Sequence, residues 1–327
     1  MRLLVAGAMT LGVAWTPGVA MASPPRAVSR PLSPDLRALG VWAQQVIAAQ
    51  QPALDIYRRC QPITQRAAAL LGDAEAIRPL LPEMTACLAD FEAAVHVSAS
   101  KLAALGPMPA SYERLLGIDS AAILRQSAAT LQTLAGALND NRNGLEKAAS
   151  GDAEGARTFF RKGKAGAVAT IDAQIQILHL FAKSSTVPMV GEMTDLRIVF
   201  VRAIRAALLA DETPQGIEVG EGLRSLAPEA RVALGRLRKD WATSSASLHQ
   251  AVTRLGDPRR TALVGRIDGI YQTLFARADA LIQVLDEAPN GTARPADVQH
   301  ALTKVAEFEV YIQEMAASLS SSVVEKP

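Results

Sequence analysis

The chain has 327 residues, is 49% hydrophobic but only 4% aromatic, and carries 34 Lys and Arg against 32 Asp and Glu. A net charge of +2 gives no bulk signal for nucleic acid or an anionic membrane surface. Abundant Ala, Leu, Arg and Gln, with few aromatic or β-branched runs, favour helices over sheets.

The first 22 residues have the layout of a secretory signal peptide. Arg2 begins it, an apolar run continues over residues 3–15, Pro17 interrupts it, and Ala20-Met21-Ala22 stands just before Ser23. The apolar run is shorter than the ~20 residues of a bilayer-spanning helix. Cleavage is expected after Ala22, which removes Arg2 and lowers the net charge from +2 to +1. No cysteine sits at the cleavage site to carry a lipid, and the Arg-rich pattern of a transit peptide is missing. The expected location is the periplasm, or secretion.

Residues 23–33 carry three prolines and read as an extended tail. Ser33 and Pro34 form a helix start, with a helix expected over 34–50. Pro52 and Pro62 each remove an amide donor and are expected to break or kink the chain there, which places Cys60 near a helix end. Gly72-Asp73 marks a stop, and Pro79 and Pro82 a restart. The next helix is expected to reach Leu105 before Gly106-Pro107-Met108-Pro109 ends it.

Cys60 and Cys87 are the two cysteines of the chain. In an oxidising compartment they allow one intramolecular disulfide, worth about 3–4 kcal/mol by the chain-entropy argument. A zinc site wants four ligands at short spacings, and a cysteine nucleophile wants a base. Neither is visible in the sequence, and the placement on consecutive helices suits a structural staple.

Leu124, Leu131, Leu138 and Leu145 recur every seven residues, with Leu134 between them. Asp152 caps a helix expected over 153–183 that presents Phe160, Val168, Ile171, Ile175 and Leu178. Residues 184–192 are the candidate boundary between two halves, 34–186 and 189–322. Leu196, Val199, Phe200, Ala203 and Ala207 mark the next helix. A short helix is expected over 217–226, and Pro228 starts another that reaches about Leu255. Val264, Ile267, Tyr271, Leu274, Ala278, Leu281 and Leu285 then step by three and four. A loop over 288–295 leads to a last helix with Val298, Ala301, Val305, Phe308, Ile312, Met315 and Leu319. Such stripes pack at about +20° in bundles. No run of five or more residues alternates as a strand requires. The expected fold is therefore all-α: long antiparallel helices in one or two tandem bundles. The segments 118–182 and 264–319 share a layout of long helix, small-residue loop and long helix, without aligning residue by residue.

The chemistry is sparse. GxSxG, Walker A, GxGxxG, HExxH and CxxCH patterns are missing, and Gly216–Arg224 neither follows a strand nor ends in lysine-serine. Glu92 stands four residues before His96, and Asp297 three before His300, but a second Asp-x-x-His or Glu-x-x-His of a di-iron bundle is lacking. His179 lies beside a core stripe and is expected to be partly buried and hydrogen-bonded. Basic clusters stand at 157–164 and 236–239. The first mixes Arg157, Arg161, Lys162 and Lys164 with Phe159 and Phe160, a pattern of membrane-surface helices or nucleic-acid contacts, but the balanced net charge favours an amphipathic turn with phenylalanines inward and charges outward. The apolar segment 198–210 contains Arg202 and Arg205, which argues against membrane insertion.

These features point to an exported, non-enzymatic interaction or scaffold protein acting through a helix face or by self-association. The alternative is a bundle holding a small apolar or amphipathic ligand, with Gly155, Gly163 and Gly166 either leaving a gap or bringing backbones close. A further alternative is an enzyme whose site is assembled from distant residues. No catalytic residue, cofactor, metal site, nucleic-acid partner or transmembrane segment of the mature chain is expected.

Overall fold

The structure, a computed structural model, describes residues 34–70, 74–184, 188–209, 211–213, 216–218, 223–288, 292–293 and most of 300–318. The expected signal peptide over 1–22, the expected tail over 23–33, Gly72-Asp73, Asp297, Val298 and Leu319 lie outside the described residues. The helices are α1 (Pro34–Ala69), the single turn α2 (Ala74–Ile77), α3 (Leu81–Ala103), α4 (Ala110–Leu116), α5 (Ser120–Ala149), α6 (Ala153–Ser184), α7 (Pro188–Leu209), α8 (Leu226–Leu255) and α9 (Pro258–Glu287). The described residues of 300–318 are helical and form α10. The protein is all-α, as its composition and periodicity imply.

Helices that follow one another pack side by side: α1 on α3, α3 on α5, α5 on α6, α6 on α7, α7 on α8 and α8 on α9. The leucines at 124, 131, 138 and 145 are all buried, as are Leu196, Phe200, Ala203 and Ala207 of α7. Short, well-capped turns set the order. Gly151 (φ +83°) turns the chain after α5, and Asp152 accepts a 2.8 Å bond from the Gly155 amide to start α6. That bond and the nearby Lys147 hold the Asp152 carboxyl below its ordinary range. Gly256 (φ +63°) ends α8, Asp257 accepts from the Arg259 amide at 2.9 Å, and Pro258 opens α9.

α10 returns across the molecule. Phe308 meets Phe200 of α7 edge-on at 4.8 Å, and the Tyr311 hydroxyl donates to the Ile270 carbonyl of α9 at 2.8 Å. Arg58 of α1 donates to Glu314 at 3.2 Å. One apolar cluster runs from Leu39 in α1 to Met315 in α10.

Two expectations are corrected. Pro52 and Pro62 do not break α1, which runs through both, so Cys60 lies inside a helix and not near its end. The carbonyls that lose a partner belong to Ala48 and Arg58, both exposed residues within reach of water, while Ala53, Leu54, Tyr57 and Cys60 bury the other face. The helix expected over 217–226 is also absent among the described residues. Gly216–Glu218 is a strand, paired antiparallel with Asp211–Thr213 and with Thr292–Ala293, and residues 223–225 form a turn. A distant partner at 292–293, inside the expected loop, decides the conformation of a segment too glycine-rich to hold a helix alone.

Candidate functional site

Cys60 of α1 and Cys87 of α3 are paired at disulfide distance, with Cα atoms 5.9 Å apart and both residues buried. Ion pairs cross the same contact, Arg59 to Asp90 at 2.6 Å and Arg66 to Glu83 at 2.7 Å. Tyr57 packs 6.5 Å from Phe91, and burial together with the charge of Glu307 pushes its hydroxyl up to about 12. The pair clamps two helices and offers no free thiol.

The α5/α6 contact is built on glycine. A Cβ on Gly144 would come within 2.6 Å of the Phe160 ring, one on Gly163 within 2.6 Å of the Asn141 amide, and one on Gly166 within 2.9 Å of Ala137. Gly155 sits against its own cap, Asp152. The glycines of this face bring helices together; they leave no gap.

The α8/α9 contact is different. A groove of about 420 Å³ runs between the two helices. Arg231, Leu234, Gly235 and Arg238 line it from α8, and Asp279, Ile282, Gln283 and Asp286 from α9. Both sets have the spacing i, i+3, i+4, i+7, so each is a single helix face. Leu234 and Ile282 are buried and form the floor. Arg231 pairs with Asp286 and Arg238 with Asp279, making two rungs across the rim. Arg238 also lies 5.4 Å over the Phe275 ring. A Cβ on Gly235 would meet nothing within 4 Å, so this glycine faces open space.

Further along the seam Trp241 stacks on Tyr271 at 3.8 Å. The Tyr271 hydroxyl is buried without a hydrogen-bond partner among the described residues, and burial pushes its ionisation up. Beyond this stack, Ser245 and His249, one helical turn apart on α8, both meet Asp268 of α9. The Ser245 hydroxyl donates to Asp268 at 2.7 Å, and His249 Nε2 lies 2.5 Å from the other carboxylate oxygen. Nucleophilic catalysis needs the imidazole between hydroxyl and carboxylate, so that it can take the proton. Here the carboxylate stands in the middle, an arrangement that ties α8 to α9 without activating the serine.

Two further charged contacts escaped the sequence reading. Arg197 of α7 and Glu309 of α10 form an ion pair at 2.7 Å with side chains 0% and 1% exposed. Arg197 shares a face with Met193, Phe200 and Ile204, a position on the core stripe that could have flagged it. Glu192 of α7 faces Asp240 of α8, and its carboxyl is pushed above the usual range, first by burial and then by the Asp240 charge, with Arg236 opposing.

The Glu92–His96 pairing read from spacing does not form, and the partner of His300 in the other pairing, Asp297, lies outside the described residues. Glu92 faces Arg142 at 3.5 Å, while His96 Nδ1 lies 2.9 Å from the Gln132 carbonyl oxygen. His179 is exposed, contrary to expectation, and so is His300. Among the described residues no three His, Cys, Asp or Glu side chains gather as a metal site would require.

Part of each basic cluster is matched by acids or rings. Arg236 pairs with Asp195 at 3.4 Å, Leu237 is buried, and Lys162 lies 5.4 Å over Phe159. Arg202 and Arg205 of α7 pair with Glu229 and Asp172, each at 2.5 Å. Within α6, residues 153–182 are long and apolar enough to cross a membrane by composition, yet the helix packs between α5 and α7 and carries Asp172 in that ion pair. Comparison with protein families, curated proteins and solved structures found no match to this chain.

Proposed function

We propose that this is an exported, non-enzymatic interaction or scaffold protein that works through an exposed helical face. The observation that carries the reading is the α8/α9 face. Two helices of 30 residues lie side by side with an open groove, small exposed residues and charges at regular spacing. That face sits on a body held by one continuous core and a clamped helix pair, a rigid support for recognition. The residues over 1–22 support export, and the cysteine pairing suits an oxidising compartment. A carrier of apolar ligands favours an enclosed, largely apolar pocket, whereas this groove is open and rimmed by two Arg–Asp pairs.

Native mass spectrometry of the protein recovered from its exported compartment, without reduction, tests the reading. The expected species is the chain Ser23–Pro327 less two hydrogens, held in a discrete protein complex. A small molecule riding on a lone chain contradicts the reading and makes the protein a ligand carrier. Turnover of any substrate in a broad hydrolase and redox panel contradicts it in favour of an enzyme.

A further inference from the structure

We infer that the α8/α9 groove is the seat of a second copy of this chain, in a two-fold dimer that puts α8 of each protomer over α9 of the other. This rests on the interaction reading above and names its surface and partner.

The groove has the shape that helix packing requires. Residues at i, i+3, i+4 and i+7 bound the hole that receives a side chain of an approaching helix. The α8/α9 pair supplies two such sets facing each other, 231, 234, 235 and 238 against 279, 282, 283 and 286. Gly235 keeps the hole open. The ridges beside it are low and exposed: Ala242 and Ala246 on α8, Gly265, Gly269 and Ala276 on α9. Val232, at 59% the most exposed large apolar side chain among the described residues, sits on the turn next to Gly235. Each helix is about 45 Å long and two abreast span about 20 Å. The face therefore offers roughly 900 Å² per copy, against the roughly 800 Å² that each partner buries in a standard stable interface.

Charge selects the occupant and its orientation. Within the groove every cation is on α8 and every anion is on α9, at matched levels: Arg231 opposite Asp286, Arg238 opposite Asp279. Two such hairpins can stack face to face about a two-fold axis lying in the interface, in two ways. An axis running across the helices lays α8 on α8 and brings arginine over arginine. An axis running along the helices lays α8 on α9 and brings arginine over aspartate at both levels. Each rung then becomes a square of alternating charges, and the apolar floor and small ridges close in a four-helix contact. The surface is thus complementary to itself in one arrangement alone.

Sedimentation of the mature chain over the micromolar range tests this. The wild type is expected at twice the monomer mass. Gly235→Trp, whose side chain enters open space in the monomer, is expected at monomer mass with its helical signal and thermal transition retained. A pair of charge variants then tests whether opposite charges meet across the interface. Arg231→Glu/Arg238→Glu makes the face all acidic and Asp279→Lys/Asp286→Lys makes it all basic. Each alone is expected to be monomeric, and an equimolar mixture is expected to form a one-to-one heterodimer. A wild type that stays monomeric overturns the inference, as does a dimer that survives Gly235→Trp or a mixture that does not pair. If the native complex contains a different protein while the pure chain is monomeric, the interaction reading stands and self-association falls. If the chain is alone in both measurements, both fall.

Discussion

The α5/α6 and α8/α9 contacts are both long helix pairs joined by a tight turn, and both place glycine on the facing ridge. Their outcomes are opposite. Gly144, Gly163 and Gly166 are met by a ring, an amide and a methyl group, so the helices close on each other. Gly235 is met by nothing, and a groove with charged rims remains. A glycine in a helix costs up to about 1 kcal/mol relative to alanine. At α5/α6 that cost is offset by close packing of two backbones; at Gly235 no contact within the monomer offsets it. One seam holds the fold; the other leaves open the surface we propose for contact.

Burial divides the ion pairs in the same way, and substitutions there give the largest expected effects. Glu309→Ala leaves Arg197 without its carboxylate inside the core and should cost about 3–5 kcal/mol. The midpoint of urea unfolding reads this directly. Arg238→Ala removes a pair whose side chains are about half exposed, so it should cost under about 1 kcal/mol in the monomer. Comparable losses at the two sites would break the contrast between a sealed contact and an open one.

The covalent clamp on the α1/α3 contact comes next. Cys60→Ser/Cys87→Ser should lose about 3–4 kcal/mol, and wild-type protein in reductant should fall to the same midpoint. An unchanged midpoint in reductant would mean that the α1/α3 contact is held by packing alone.

The smallest effect sharpens the α7/α8 contact beside the groove. The Glu192 carboxyl lies above its ordinary value in the fold, so folding favours its protonated form. That contribution is present below the ordinary glutamate range and is lost as pH rises through the raised value. Glu192→Gln should therefore raise the Tm slightly at neutral pH and leave it unchanged in acid. Thermal scans at the two pH values decide this.

Much of the architecture was legible from residue order. Seven-residue leucine spacing located the buried face of α5, and Asp152 marked the start of α6, because both depend on neighbours three to seven positions away. The Cys60–Cys87 pairing followed from there being one partner for each. The features that were not legible depended on contacts between distant segments. Pro52 and Pro62 are tolerated because their freed carbonyls belong to exposed residues of a helix whose other face is core. The strand at 216–218 exists because 292–293 lies beside it. Arg197 stands on the core stripe of α7, but nothing near it in sequence names Glu309, 112 residues away, as its partner. The groove required knowing that 231 stands level with 286, a register set by the Gly256-Asp257-Pro258 turn and not by either helix alone. The glycines left both outcomes open, since the group that faces a missing side chain is never local.

The most direct test of the central claim, that one glycine seam is closed by packing while the other is left open for contact, is thermal unfolding of Gly166→Leu and Gly235→Leu side by side in dilute solution. Gly166→Leu must push into Ala137 and its backbone, and should lose about 2–3 kcal/mol. Gly235→Leu should melt at or above the wild-type temperature, because it fills open space and improves helix propensity. Equal losses at the two positions would contradict the account, since they would mean that the α8/α9 groove is already filled within the monomer.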